Sequence, residues 1–239
     1  MRTIVFSDAH GEPDIIQAVV EHSCFDPHSD RLIFAGDAIE VGRDSAGCLA
    51  LLDKLGCECL VGNHEYAVYD GWPLEPEVLP TDVEADVHRL IDGGLWRVAA
   101  ESDGVLITHA GLSRSFAPDF EPFGAEHSVA DFVASLNEEF AGAVKLGDFV
   151  AVRVVEEDGP LWYRPSESLP PLTGVLQVSG HTPPQMFGGS AVAECWAGVG
   201  FYMVDPCARC WRRRGFAPPV PLRYAVIENG NVRVVEEAE

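Results

Sequence analysis

Thr3-Ile4-Val5-Phe6-Ser7-Asp8-Ala9-His10-Gly11 is the stretch on which the reading of the chain turns. Its first four residues are a short β-branched and aromatic run, which predicts a buried strand. Its last four place two side chains able to ligate a metal, Asp8 and His10, where strand gives way to turn, with Gly11 free to take that turn. Pro13 then suits the first turn of a helix over Pro13–Ser23, with Ile15, Ile16, Val19 and Val20 on one face.

The same unit recurs outward along the chain. Leu32–Ala35 predicts a second strand and is followed by Gly36-Asp37; Glu58–Val61 predicts a third and is followed by Gly62-Asn63-His64-Glu65. Val105–Thr108 leads into His109-Ala110-Gly111, and Val175–Ser179 into Gly180-His181-Thr182. Helical patterns lie at Ser45–Leu55, stopped by Gly56, at Thr81–Ile91 and at Ser128–Gly142. Pro165–Thr173, with three prolines, reads as loop, Gly200–Val204 as a strand with Asp205 after it, and Tyr224–Val235 as a hairpin around Asn229-Gly230.

Strands alternating with helices predict an α/β fold, and in such sheets ligands bind at the carboxyl ends of the strands. Taken singly, each motif has an ordinary reading: Asp-x-His as a capped turn, Gly-Asp as a turn dipeptide. Five in series, each at a strand end, point to one metal site built from distant residues. Asp, Asn and His form a hard-to-borderline donor set suited to Mn²⁺, Fe or Zn²⁺.

Bulk properties narrow the class. The 239 residues suit one domain spanning 1–239, and no linker divides them. A balance of 16 Lys+Arg against 38 Asp+Glu, net −22, excludes a binder that works by releasing nucleic-acid counterions. It also means that a phosphorylated ligand needs local positive charge at its site, which bound metal ions provide. No apolar stretch approaches the ~20 residues of a membrane helix, and the N-terminus lacks a signal-peptide pattern; a cytoplasmic protein with neither nucleic-acid nor membrane partner is expected. Seven cysteines are an odd number, so reduced thiols are expected. Cys207 and Cys210 have the spacing of half a zinc site without a second half.

The series Asp8-x-His10, Gly36-Asp37, Gly62-Asn63-His64-Glu65, His109 and Gly180-His181-Thr182 resembles the calcineurin-like metallophosphoesterases. Thr108-His109-Ala110-Gly111-Leu112, Gly159-Pro160-Leu161-Trp162-Tyr163-Arg164 and Asp44-Ser45 resemble the phosphoprotein phosphatase branch, which holds bacterial serine/threonine phosphatases and symmetrical dinucleoside tetraphosphate hydrolases. The resemblance implies a four-layer sandwich: two mixed β-sheets face to face, helices outside, and a metal site at the C-terminal strand ends. It implies two divalent ions, manganese foremost, with Fe, Zn, Co or Ni as alternatives. Asp8, His10 and Asp37 would hold the first ion, and Asn63, His109 and His181 the second, with Asp37 bridging. A hydroxide between the ions would attack phosphorus, His64 would protonate the leaving oxygen, and Arg164 would clamp the phosphate.

One place departs from the branch pattern Gly-Asp-x-x-Asp-Arg-Gly. Glu40 stands where an Asp would pair with His64, and Val41 where an arginine would bind phosphate; Arg43, two residues on, is the candidate replacement. The expected function is hydrolysis of a phosphomonoester, carried by a phosphoprotein or a small phosphorylated molecule. The alternatives are a dinucleoside polyphosphate hydrolase and, because of Val41, a catalytically weak metal-binding scaffold. Asp205 is expected to act through structural hydrogen bonds. His22, His28, His88 and His127 are expected at the surface, Trp162 and Trp196 in packing, and Arg212–Arg214 as a solvated patch.

Overall fold

The computed structural model describes residues 1–76, 79–117, 128–187, 196–213, 215–216 and 219–236. His127 and Arg214 lie outside the described residues.

The first sheet has the order β3-β2-β1-β8-β9. Strands β1 (Arg2–Phe6), β2 (Asp30–Phe34) and β3 (Glu58–Cys59) run parallel, and the hairpin of β8 (Arg223–Glu228) and β9 (Asn231–Glu236) joins β1 antiparallel. The second sheet has the order β4-β5-β6-β7: β4 (Ala99–Ser102) is antiparallel to β5 (Val105–Thr108), and β5, β6 (Leu176–Ser179) and β7 (Phe201–Met203) run parallel.

Alternation along the strands assigns the layers. Val5, Ile33, Ile107, Val178 and Ile227 form one buried cluster with residues of both sheets, so these side chains fill the space between them. Ile4, Phe6, Leu32 and Phe34, one residue out of phase, pack against helices α1 (Pro13–Ser23) and α2 (Ser45–Lys54). Outside the second sheet lies α5 (Val129–Leu146), and α4 (Thr81–Asp92) packs between α2 and α5. Each such apolar side chain contributes roughly 1.5–3 kcal/mol when fully buried. Two mixed sheets face to face with helices outside make the expected four-layer architecture.

Several boundaries move for local reasons. β3 ends at Cys59 because Leu60 crosses to pair with Arg97, a bridge that links the chain to the start of the second sheet. Helix α5 runs through Gly142 and stops at Gly147, whose φ of 63° makes it the left-handed terminator. Gly62-Asn63-His64-Glu65 opens a short helix, α3 (Asn63–Tyr69). A further helix, α6 (Ala208–Arg213), follows β7. Cys207 and Cys210 form a disulfide, which corrects the expectation of reduced thiols there; their Cα atoms stand 5.3 Å apart, within the reach of a bridge. Cys24, Cys48, Cys57 and Cys59 are free. Among the described residues no helix is long and apolar enough to cross a membrane.

Candidate metal centre

The parallel strands β1, β2 and β3 deliver their carboxyl ends to one edge, and β5, β6 and β7 deliver theirs to the facing edge. Asp8 and His10 follow β1, Asp37 follows β2, Asn63 and His64 follow β3. His109 follows β5, His181 follows β6 and Asp205 follows β7. All eight are buried. The connecting backbone is cross-laced: His10 donates its N–H to Asp37 O at 2.9 Å, and Gly180 donates to His109 O at 2.7 Å.

The loops take sharp turns to aim these side chains. Asp8, His10, Asp37, Glu40, Val41 and His181 all have φ between 46° and 63°, a region costly for residues with a Cβ. Such strain clusters where surrounding structure over-determines it, as at functional sites. Gly180 lies so close that a Cβ there would fall 2.1 Å from an Asp8 carboxylate oxygen, which is why the strand end is a glycine.

Asp37 is the hub. Its Oδ2 lies 3.6 Å from Nε2 of His10, 3.8 Å from Nε2 of His64 and 3.5 Å from Nε2 of His109. Two groups of side chains have ligand atoms close enough to share an ion: His10, Asp37 and His64, and Asp37, His109 and His181. Asp37 belongs to both. Asp8 stands beside the first, its Oδ1 3.8 Å from Nε2 of His10, while its Oδ2 accepts the backbone N–H of His181 at 2.9 Å. Asn63 turns its amide oxygen to the second, 2.9 Å from Nε2 of His109 and 2.8 Å from Nδ1 of His181.

The proton inventory shows that a cation fits. Nδ1 of His109 donates to the carbonyl of Ala35 at 2.8 Å, which fixes the tautomer and leaves Nε2 as a lone pair. Burial pushes His109 down to about 3, so near neutral pH no second proton fills that nitrogen. Nε2 therefore turns its lone pair toward the Asn63 amide and the Asp37 carboxyl. A buried lone pair beside an amide and a carboxyl is a surrounding that a positive ion can satisfy. The carboxyls agree: burial and then the Asp205 charge hold Asp8 well above the usual range, and burial, then Glu65 and Asp8, do the same to Asp37. Burial likewise holds His10 and His181 well below the usual imidazole value.

Around this floor a cleft of about 460 Å³ opens. Its walls include Arg164, Arg209 and Arg213, Asp205, and the apolar Leu74, Trp162 and Met186. Arg164 is held in place by donating to His181 O at 3.1 Å and Thr182 Oγ1 at 3.2 Å. Nδ1 of His64 lies 2.7 Å from Glu40 Oε2. Asp205 accepts the N–H of Cys207 at 2.7 Å, and burial pushes its carboxyl up to about 6. Trp162 does more than pack, since it lines the cleft and stacks on Trp72 with centroids 5.9 Å apart.

Arg43, expected to bind phosphate, is not among the residues that line the cleft. Its guanidinium is exposed, 3.5 Å from the buried carboxylate of Glu12 and 4.6 Å from the centroid of Phe216. Val41 is buried, 5% exposed. Two residues escaped the sequence reading. Arg209 enters the cleft with a side-chain nitrogen 3.3 Å from Nε2 of His64; the sequence carries no signal for it beyond lying between Cys207 and Cys210. Glu65, fully buried, accepts the N–H groups of Asp37 at 2.9 Å, Ala38 at 2.7 Å and Gly62 at 2.8 Å. Its place as the fourth residue of Gly62-Asn63-His64-Glu65 was the available signal, a Glu reaching back to the start of its helix.

Comparison with known proteins agrees with this geometry. Residues 1–215 match the family described as calcineurin-like phosphoesterase. A symmetrical bis(5'-nucleosyl)-tetraphosphatase from Chromohalobacter salexigens is 27% identical over 200 residues, covering 71% of this chain and 74% of that protein. Serine/threonine-protein phosphatase 1 from Salmonella typhimurium is 34% identical over 99 residues, 41% of this chain and 42% of that protein. Among solved structures, a cold-active protein-tyrosine phosphatase from a psychrophilic Shewanella superposes with a TM-score of 0.62 at 16% identity, over 98% of this chain and 80% of that one. A putative diadenosine tetraphosphatase superposes with a TM-score of 0.54 at 20% identity, over 98% and 93%. At these identities the two structures speak for the fold alone.

Proposed function

Because the chain belongs to the calcineurin-like phosphoesterases, and is thus an enzyme that hydrolyses phosphate esters, we propose that it is a dinuclear metal-dependent phosphomonoesterase acting on a phosphoprotein or a small phosphorylated molecule. The observation that carries this reading is Asp37, whose Oδ2 faces Nε2 of His10, His64 and His109 at 3.5 to 3.8 Å beside a cleft that holds Arg164.

In this reading Asp8, His10 and Asp37 hold one ion and Asn63, His109 and His181 the other, with Asp37 shared. The oxygen and imidazole donors suit manganese. Bound there, two divalent ions neutralise phosphate charge and acidify a water. The chain does the rest. Arg164 offers guanidinium N–H groups to phosphoryl oxygens in the forked geometry that suits them. His64 delivers a proton from Nε2 to the leaving oxygen as the phosphorus–oxygen bond breaks, while Glu40 holds its Nδ1–H and stabilises the protonated ring. Glu65 fixes the loops that carry Asp37 and Asn63. We take residues 1–239 as one such domain. We place it in the cytoplasm on Cys24, Cys48, Cys57 and Cys59, free among the described residues, against which the Cys207–Cys210 bridge is the exception.

A dinucleoside polyphosphate is the second reading, favoured by Trp162 on the cleft wall with Trp72 stacked behind it, an aromatic face onto which a nucleobase could stack. One experiment tests both. An aryl phosphate is offered with Mn²⁺, with and without chelator, to wild type and Asp37→Asn, followed by phosphopeptides and dinucleoside polyphosphates. Metal-dependent turnover lost in Asp37→Asn supports the enzyme. No turnover on any of them sinks it, and turnover of the dinucleotides alone selects the second reading.

A further inference from the structure

We propose that Arg209 is the second phosphate-binding guanidinium of this cleft, standing beside His64 as Arg164 stands beside His181; the proposal rests on the phosphoesterase reading above. The chain lacks an arginine at Val41, and Arg43, the nearest replacement in sequence, is engaged with Glu12 and Phe216 outside the cleft. The cleft nevertheless needs cations, since Asp37 and Asp205 line it and the whole chain carries a net charge of −22.

The positions of the two arginines divide the work. Arg164 is tied to His181 O and Thr182 Oγ1, beside the group Asp37, His109 and His181. Arg209 stands 3.3 Å from Nε2 of His64, beside the group His10, Asp37 and His64. One guanidinium therefore flanks each group, and a phosphoryl unit between them meets a fork from either side.

Arg209 is also well founded at its base and lightly held at its tip. The first turn of α6, which carries it, is closed by the Cys207–Cys210 bridge, and Asp205 pins its start through Cys207 N–H at 2.7 Å. On the same short helix Ala208 and Trp211 are buried against Ile15. The tip makes two long contacts, 3.3 Å to Nε2 of His64 and 3.4 Å to Glu75, the latter between side chains more than a third exposed. Exposed pairs of this kind are weak, so an arriving phosphate dianion can displace Glu75.

The test is calorimetric binding of inorganic phosphate to the Mn²⁺-loaded protein, together with kcat and KM on an aryl phosphate and the metal content of each variant. Arg209→Ala should weaken phosphate binding and raise KM by about ten- to a hundredfold at unchanged metal content, the loss of one or two charge-assisted hydrogen bonds. Arg209→Lys should restore part of the binding, as a charge without the fork. Glu75→Gln should tighten phosphate, a change that a merely structural Arg209 would not produce. Arg43→Ala and Arg212→Ala should leave phosphate binding as in wild type. Wild-type phosphate affinity in Arg209→Ala, or the loss appearing in Arg43→Ala instead, overturns the proposal while leaving the phosphoesterase reading intact. A Mn²⁺-loaded wild type that neither binds phosphate nor turns over the aryl ester overturns both.

Discussion

Nδ1 of His64 and a carboxylate oxygen of Glu40 lie 2.7 Å apart, both side chains buried, and the other Glu40 oxygen accepts the N–H of Glu75 at 2.8 Å. Glu40 thus holds the ring in place from its Nδ1 side. Glu40→Gln should lower kcat by about a hundredfold, the usual scale of general acid catalysis. The loss should be greater for an alkyl phosphate than for an aryl phosphate, because the poorer leaving group depends more on the proton. Equal losses on both substrates would assign Glu40 a purely structural role.

Asp37 faces both ligand groups, so its loss should act on both ions together. Asp37→Asn is expected to bind fewer than two equivalents of Mn²⁺ by elemental analysis and to lose all measurable turnover. His181→Ala, which touches one group only, should retain about one equivalent under the same conditions, as expected where ions occupy separate ligand sets. Two equivalents in Asp37→Asn would mean that the bridging residue lies elsewhere.

Glu65→Ala should destabilise the fold by about 3–5 kcal/mol, since it leaves buried N–H groups of Asp37, Ala38 and Gly62 without an acceptor. Denaturant unfolding of the metal-free protein measures this apart from ion binding. A loss under about 1 kcal/mol, the scale of an ordinary single hydrogen bond, would show that other contacts hold these loops.

Acid should weaken the anchor of the first strand. Arg2 donates from Nε to Asp30 Oδ1 at 3.1 Å, and Asp26 N–H donates to Asp30 Oδ2 at 3.0 Å. The Arg2 hydrogen bond is the main cause that holds Asp30 below the usual carboxylate range. A depressed folded-state pKa stabilises the protein above the unfolded value, near ~3.9, and that contribution fades as pH falls through the folded value. The stability gap between wild type and Asp30→Asn should therefore stay constant near neutral pH and close below about pH 4. A gap that widens in acid would refute the assignment.

The sandwich was legible because its strands are short apolar runs punctuated by glycine and a polar residue, a pattern that survives without knowledge of the partner strand. β4 was not: Ala99-Ala100-Glu101-Ser102 has weak strand propensity and owes its conformation to pairing with β5. The clustering of Asp8, His10, Asp37, Asn63, His64, His109 and His181 followed from their places at strand ends. What sequence could not supply was the direction of long side chains. Arg43 and Arg209 are both exposed arginines; the buried Glu12 holds one outside the cleft, and the disulfide-closed first turn of α6 delivers the other into it.

The bond from His181 N–H to Asp8 joins residues 173 apart, and β1 pairs through Thr3–Val5 with Ala225–Ile227 of the distant hairpin. During synthesis on the ribosome, the strand made first thus waits for the pair made much later. Until residue 181 has emerged, the earliest carboxylate lacks its backbone donor, and Asn63 lacks the imidazole it contacts. Assembly of the centre is therefore a late event in the life of the nascent polypeptide, and chains that stall before that point carry ligands but no site.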